Sequence, residues 1–87
     1  MHDFANMSAF AGVVESGGFS AAGRKLGLAT SVVSKRVARL ERSLGVRLLV
    51  RTTRKVMVTE AGAAYFEHCR RAVVELERAA AAVGRLK

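Results

Sequence analysis

A chain of 87 residues supports one small domain with a thin core, and because 51% of it is hydrophobic, much of it Ala and Val at helical spacing, apolar surface is left over for a partner. A net charge of +8 and a pI near 11.1 point to a polyanion, either nucleic acid or an anionic membrane surface. One cysteine excludes an internal disulfide, no apolar run approaches the roughly 20 residues of a spanning helix, and no secretory succession opens the chain, so a cytoplasmic setting is expected.

In chain order, Asp3 is placed to cap a first helix whose Phe4, Met7, Phe10, Ala11 and Val14 recur on one face, with Gly17 and Gly18 ending it. Ser20 then offers a cap to a short second helix through Ala21, Ala22 and Leu26, closed by Gly27. Leu28 and Ala29 carry a tight turn. Thr30 is predicted to cap a third helix in which Val33, Val37, Leu40 and Leu44 form the buried stripe and Gly45 stands just past the end. Leu48 to Val50 and Val56 to Val58 read as two short strands around the basic connection Arg51 to Lys55. Thr59 caps a final helix running from about Glu60 towards Leu86.

The charge is concentrated. Ten of the fifteen basic residues fall between Arg24 and Lys55, where Glu41 is the only acid, so that stretch nets +9. Glu41 is expected to orient the arginines around it. The outer face of the third helix carries Ser31, Lys35, Ala38, Arg39 and Arg42, flanked by Val32, Ser34 and Arg36. Two helices joined by a tight turn, the second basic outside and small at its start, form a helix-turn-helix whose second member enters a DNA major groove. Lys35, nearest the helix start, suits a base edge. Ser34 can bond a phosphate or base, or return its hydroxyl to the preceding turn. In the wing, Arg54 suits phosphate or a narrow minor groove, while Arg51 is open to a contact role or to a structural one in capping or ion pairing.

Along the last helix, Phe66, Cys69, Val73, Leu76, Ala80 and Val83 alternate spacings of three and four, the seam of a paired helix; the alternative is a helix folded back on its own domain. Cys69 reads as a small packed hydrophobe rather than a redox switch. His2 and His68 with one cysteine give no zinc spacing, so neither metal nor cofactor is expected. An enzyme fails on inventory, for the chain has no Gly-rich phosphate loop, paired acids or nucleophile and histidine arrangement. A peripheral-membrane module is the other rival, but the basic residues lie opposite a face needed for the core and interfacial Trp is absent.

The segments FAGVVE (Phe10 to Glu15), GFSAAGRKLGL (Gly18 to Leu28), SKRVARLERSLG (Ser34 to Gly45) and RTTRKVMVTEAG (Arg51 to Gly62), in this order and spacing, resemble the N-terminal domain of the LysR-type transcriptional regulators of bacteria. The resemblance implies a mainly α winged helix-turn-helix, three helices plus a short β-hairpin wing, followed by a long dimerisation or linker helix. Residues 1–58 would be the DNA-binding domain and 59–87 the linker, with the family's effector-sensing domain absent from this chain. It implies a homodimer on double-stranded DNA at an inverted repeat, higher oligomers with the missing domain, and no membrane partner. DNA contacts are then expected from Thr30, Ser31, Val32, Ser34, Lys35, Arg36, Arg39, Arg51, Thr52, Arg54 and Lys55. Thr30 and Ser31 stand where the family often has Gln or Pro.

Overall fold

The helical spacing from Phe4 onward is realised as α1 (Phe4–Ser16) in the computed structural model, which describes residues 4–52 and 55–87; Asp3, the expected cap, lies outside them. α1 is buried over more than one stripe. Ala9, Phe10, Ala11, Gly12 and Val13 are all enclosed, because α2, α3 and α4 pack around this helix, whereas Phe4 at its start is exposed. Gly17, at φ +86°, turns the chain into α2 (Phe19–Leu26).

Two expected caps are corrected. α2 begins two residues earlier than Ser20 would set it: Gly18 occupies the cap position in extended conformation with no side-chain bond. Phe19 is drawn into the core at 9% exposure, which places Ser20 inside the first turn and facing solvent. Thr30 is likewise the first residue of α3 (Thr30–Leu44), and Ala29 is the cap, again without a side-chain bond. The turn between the two helices sets that start. Gly27 adopts φ +71°, a left-handed conformation that suits a residue without Cβ, and Leu28 donates its N–H to the Gly23 carbonyl at 2.8 Å. Gly45 closes α3 as its sequence position indicated.

β1 (Leu49–Arg51) and β2 (Val56–Val58) form an antiparallel hairpin with Leu49 opposite Val58 and Arg51 opposite Val56. The link from α3 to β1 is held by Glu41, whose Oε2 accepts the N–H of Leu48 at 2.8 Å and of Leu49 at 3.1 Å and lies 3.6 Å from Arg47 Nε. Glu41 thus terminates backbone donors as well as facing one arginine, a larger task than orienting its basic neighbours. Thr59 caps α4 (Glu60–Gly84) as expected: its Oγ1 accepts the Gly62 N–H at 2.9 Å and donates to the Arg47 carbonyl at 2.7 Å. Helix and wing approach so closely here that a Cβ on Gly62 would stand 2.1 Å from the Leu48 carbonyl oxygen.

The core gathers on Phe10, with the rings of Tyr65 and Phe66 at 5.9 and 6.4 Å between centroids, and includes Val13, Val33, Val37, Leu40, Leu48 and Leu49. Truncating a fully enclosed phenylalanine such as Phe10 costs about 3–5 kcal/mol. Cys69 belongs to this core as well. It is 1% exposed and its Sγ donates to the Met7 carbonyl at 3.1 Å; burial, with Glu15 adding a smaller push, raises the thiol to about 11. The seam expected along α4 is therefore divided: Phe66 and Cys69 are taken by α1 of the same chain, Val73 is half-buried, and Leu76, Ala80 and Val83 are exposed. Among the described residues no helix is long and apolar enough to cross a membrane.

Candidate nucleic-acid interface

α3 separates its two faces sharply. Val33, Val37 and Leu40 are buried against α1, while Thr30, Ser31, Lys35, Arg39 and Arg42 are exposed. At 100° per residue Ser31, Lys35, Ala38 and Arg42 share the outermost strip, and Arg39 borders it. Ser34 sits half-buried on the flank towards the wing; Arg36, about 200° further round, falls on the opposite flank, half-buried, and Val32 on that side too. The outer strip is narrow and cationic, with the small side chains of Ser31 and Ala38 between the long ones. Such a surface permits the close approach that a groove requires.

The ion pairs of the described basic segment take up other cations. Lys25 pairs with Glu15 at 3.2 Å and Arg47 with Glu41, both outside the α3 strip, so the positive potential of Lys35, Arg39 and Arg42 faces solvent. None of the exposed pairs adds much stability. Their effect is to shape the field.

The wing is fastened to the helix-turn-helix by Arg51. One Nη donates to Ser34 Oγ, and the guanidinium lies 3.6 Å from the centroid of the Phe19 ring, so a single side chain ties β1 to both α3 and α2. Both possibilities left open for Arg51 bear on this: the structural one is realised, through a cation over a ring and a hydroxyl rather than through a cap or an ion pair. Thr52 and Lys55 close the wing turn. The Thr52 N–H reaches the Lys55 carbonyl at 2.8 Å, and the Thr52 hydroxyl receives the Lys55 N–H at 3.0 Å, so that hydroxyl is already engaged. Arg54, expected near the tip, lies outside the described residues.

Sequence reasoning missed one convergence. Arg24 and Ser20 of α2 meet Arg51, Thr52 and Lys55 around a polar cleft of about 460 Å³ at the start of that helix. No spacing rule brings residues 20 and 55 together; the signal available was the excess of cations alone. At this end α2 presents backbone N–H groups that its glycine cap leaves without a side-chain acceptor, an arrangement favourable to anionic groups.

Comparison with known proteins agrees with this geometry. The profile described as bacterial regulatory helix-turn-helix protein, lysR family, matches residues 4–63. The chain is 52% identical over 86 residues to an HTH-type transcriptional regulator of Xanthomonas campestris pv. campestris, covering 99% of this chain and 25% of that protein. It thus spans about a quarter of the length of the curated relatives it matches. Among solved structures it superposes on a CbnR DBD–DNA complex with TM-score 0.82 at 32% identity, covering 97% of this chain and 95% of that one. A BenM DBD complex with catB site 1 DNA gives TM-score 0.87 at 26% identity, with coverage of 97% and 93%. The four helices and the hairpin described above are those of a winged helix-turn-helix, and the chain belongs to the LysR family of bacterial regulatory proteins.

Proposed function

We propose that the chain is the DNA-reading end of a cytoplasmic transcription regulator, not an enzyme, and that two copies bind an inverted repeat in double-stranded DNA. α3 enters the major groove, with Ser31, Val32, Ser34 and Lys35 near base edges and Arg39 on the backbone, while Thr52, Arg54 and Lys55 of the wing approach backbone and minor groove and Arg51 serves at the seam between wing and α3. The observation that carries this is the outer strip of α3, cationic and without an acidic partner among the described residues, on a helix whose opposite face is fully committed to the core. Residues 1–58 form the reading head and 59–87 the linker, although the first turns of the linker are structurally part of the head. Its exposed continuation through Leu76, Ala80 and Val83 pairs the two copies. The proteins named in the two complexes were bound to DNA, which supports the same use here. The longer relatives support a further, effector-sensing domain in the whole regulator.

Fluorescence anisotropy on selected and random duplexes, beside sedimentation with anionic liposomes, tests the reading. Tight, salt-dependent duplex binding with a sequence preference is expected. Equal affinity for every duplex, or binding to liposomes alone, would defeat it. Inserting half a helical turn, about 5 base pairs, between half-sites should weaken binding sharply if a paired linker fixes their separation.

A further inference from the structure

Ser34 and Arg51 are 17 residues apart in sequence and meet at the seam between α3 and the wing. Phe19, 9% exposed, supplies a fixed ring beneath the guanidinium, and β1 fixes the arginine stem, so the donor reaches Ser34 Oγ from a set direction. The nearest acid does not compete for it. Glu41 lines the same cleft of about 200 Å³, but its Oε2 already serves Leu48, Leu49 and Arg47.

A guanidinium is always charged and donates only. The hydroxyl proton of Ser34 must therefore point away from Arg51. A cationic donor on the oxygen also polarises the O–H bond, strengthening it as a donor and weakening the remaining lone pair as an acceptor. Building on the reading of α3 as the groove helix, we infer that Arg51 is a positioning residue that makes Ser34 a hydrogen-bond donor towards the duplex. Ser34 then meets an acceptor, either a phosphate oxygen or a base-edge N7, O6 or O4, and not the exocyclic amine of cytosine or adenine.

A double-mutant cycle on the whole chain tests this, with Arg51→Met, which keeps the stem over Phe19 but removes every donor, and Ser34→Ala. Affinity for the duplex selected by the unaltered chain is measured across a salt series, with circular dichroism as the check on folding. Each single change should lower affinity about tenfold and the double change no further, as one charge-assisted bond acting through one hydroxyl requires. The slope of log affinity against log salt should stay the same, because Arg51 itself leaves the phosphates untouched. Losses that multiply, or a slope flattened by about 0.9 for Arg51→Met, would make Arg51 an independent phosphate contact and overturn the inference. Should Arg51→Met not fold, Arg51→Gln carries the same cycle, its neutral amide lacking the charge that polarises the Ser34 hydroxyl.

Sequence selection with Ser34→Ala separates the two acceptor sources. A preference lost at one base position identifies a base-edge acceptor, and unchanged preference with weaker binding identifies a phosphate. Loss of a preference for a cytosine or adenine amine would overturn the assigned polarity. If the unaltered chain selects no duplex at all, the groove reading itself has failed, a result distinct from any of these.

Discussion

α3 and α4 are both amphipathic and both carry charge on their outer faces, yet they differ in how their apolar stripes end up. That of α3 is buried from Val33 to Leu40 in the chain's own core, where α1 and α2 pack on it, and Leu44 is half-buried against the same core. On α4 the stripe is covered only as far as Cys69, with Val73 half-buried, and beyond that Leu76 is 50% and Val83 59% exposed. Periodicity in the sequence is the same kind of signal in both. Whether a stripe is core or interface depends on how far the helix outruns the body, and α4 is long enough to do both.

The largest expected effect concerns the place where α4 is fixed to the body. Gly62→Ala would force a methyl against the Leu48 carbonyl and a Val58 methyl, costing about 3 kcal/mol or more and leaving the domain unfolded or loosened in a thermal melt. Gly84→Ala, at the far end, meets nothing within 4 Å and should be neutral or stabilise by less than about 1 kcal/mol. If both substitutions behave alike, the division of α4 into a docked and a free half is wrong.

Next comes Leu76→Asp, which places a charge in the uncovered half. Sedimentation should show monomers for this variant and dimers for the unaltered chain, with the melting curve of the monomeric head little changed. An unaltered chain that is itself monomeric at high concentration would mean that the exposed stripe does not pair copies.

Lys35→Ala tests α3 in turn. As a base reader, Lys35 should cost about 1–3 kcal/mol on a selected duplex when removed and much less on random DNA at the same salt. Equal losses would demote it to a phosphate contact, in contrast with Ser31 and Val32 beside it.

The smallest effect is a pH dependence confined to the docked half. The Cys69 thiol is raised from 9.0 to about 11 in the folded chain, so it favours the native state while protonated. Its contribution is complete below pH 9 and is lost as pH rises towards 11, because the unfolded chain releases the proton first. Cys69→Ser should flatten the decline of stability over that window, and iodoacetamide should leave the folded thiol unmodified at pH 8. Ready alkylation of the native chain would show that the first half of α4 detaches.

Much of this was legible beforehand. Gly27, Gly45 and Thr59 mark helix ends by local chemistry, and the structure uses all three there. Ser20 and Thr30 carried the same kind of signal but failed as caps, because Phe19 must reach the core and the turn at Leu28 is pinned to Gly23, both tertiary demands. Cys69 and Phe66 fit the period of a dimer seam, yet a period gives the face of a helix and not its occupant. The meeting of Phe19, Ser34 and Arg51 was beyond reach for another reason: each residue taken singly has an ordinary surface role, and only the return of β1 across α2 and α3 joins them.

The Thr59 hydroxyl has a mechanical consequence. By accepting from Gly62 and donating to Arg47, it rivets the base of the wing to the root of a 25-residue helix that is roughly 37 Å long. The first half of that helix is held in the core as far as Cys69, and beyond Val73 it runs on for about 11 residues, roughly 16 Å, as a lever; bending that free part by 10° displaces its tip by about 3 Å, nearly one base-pair step. In the proposed dimer, whatever grips the distal end of α4 can therefore change the spacing between the two copies with scarcely any rearrangement inside either of them.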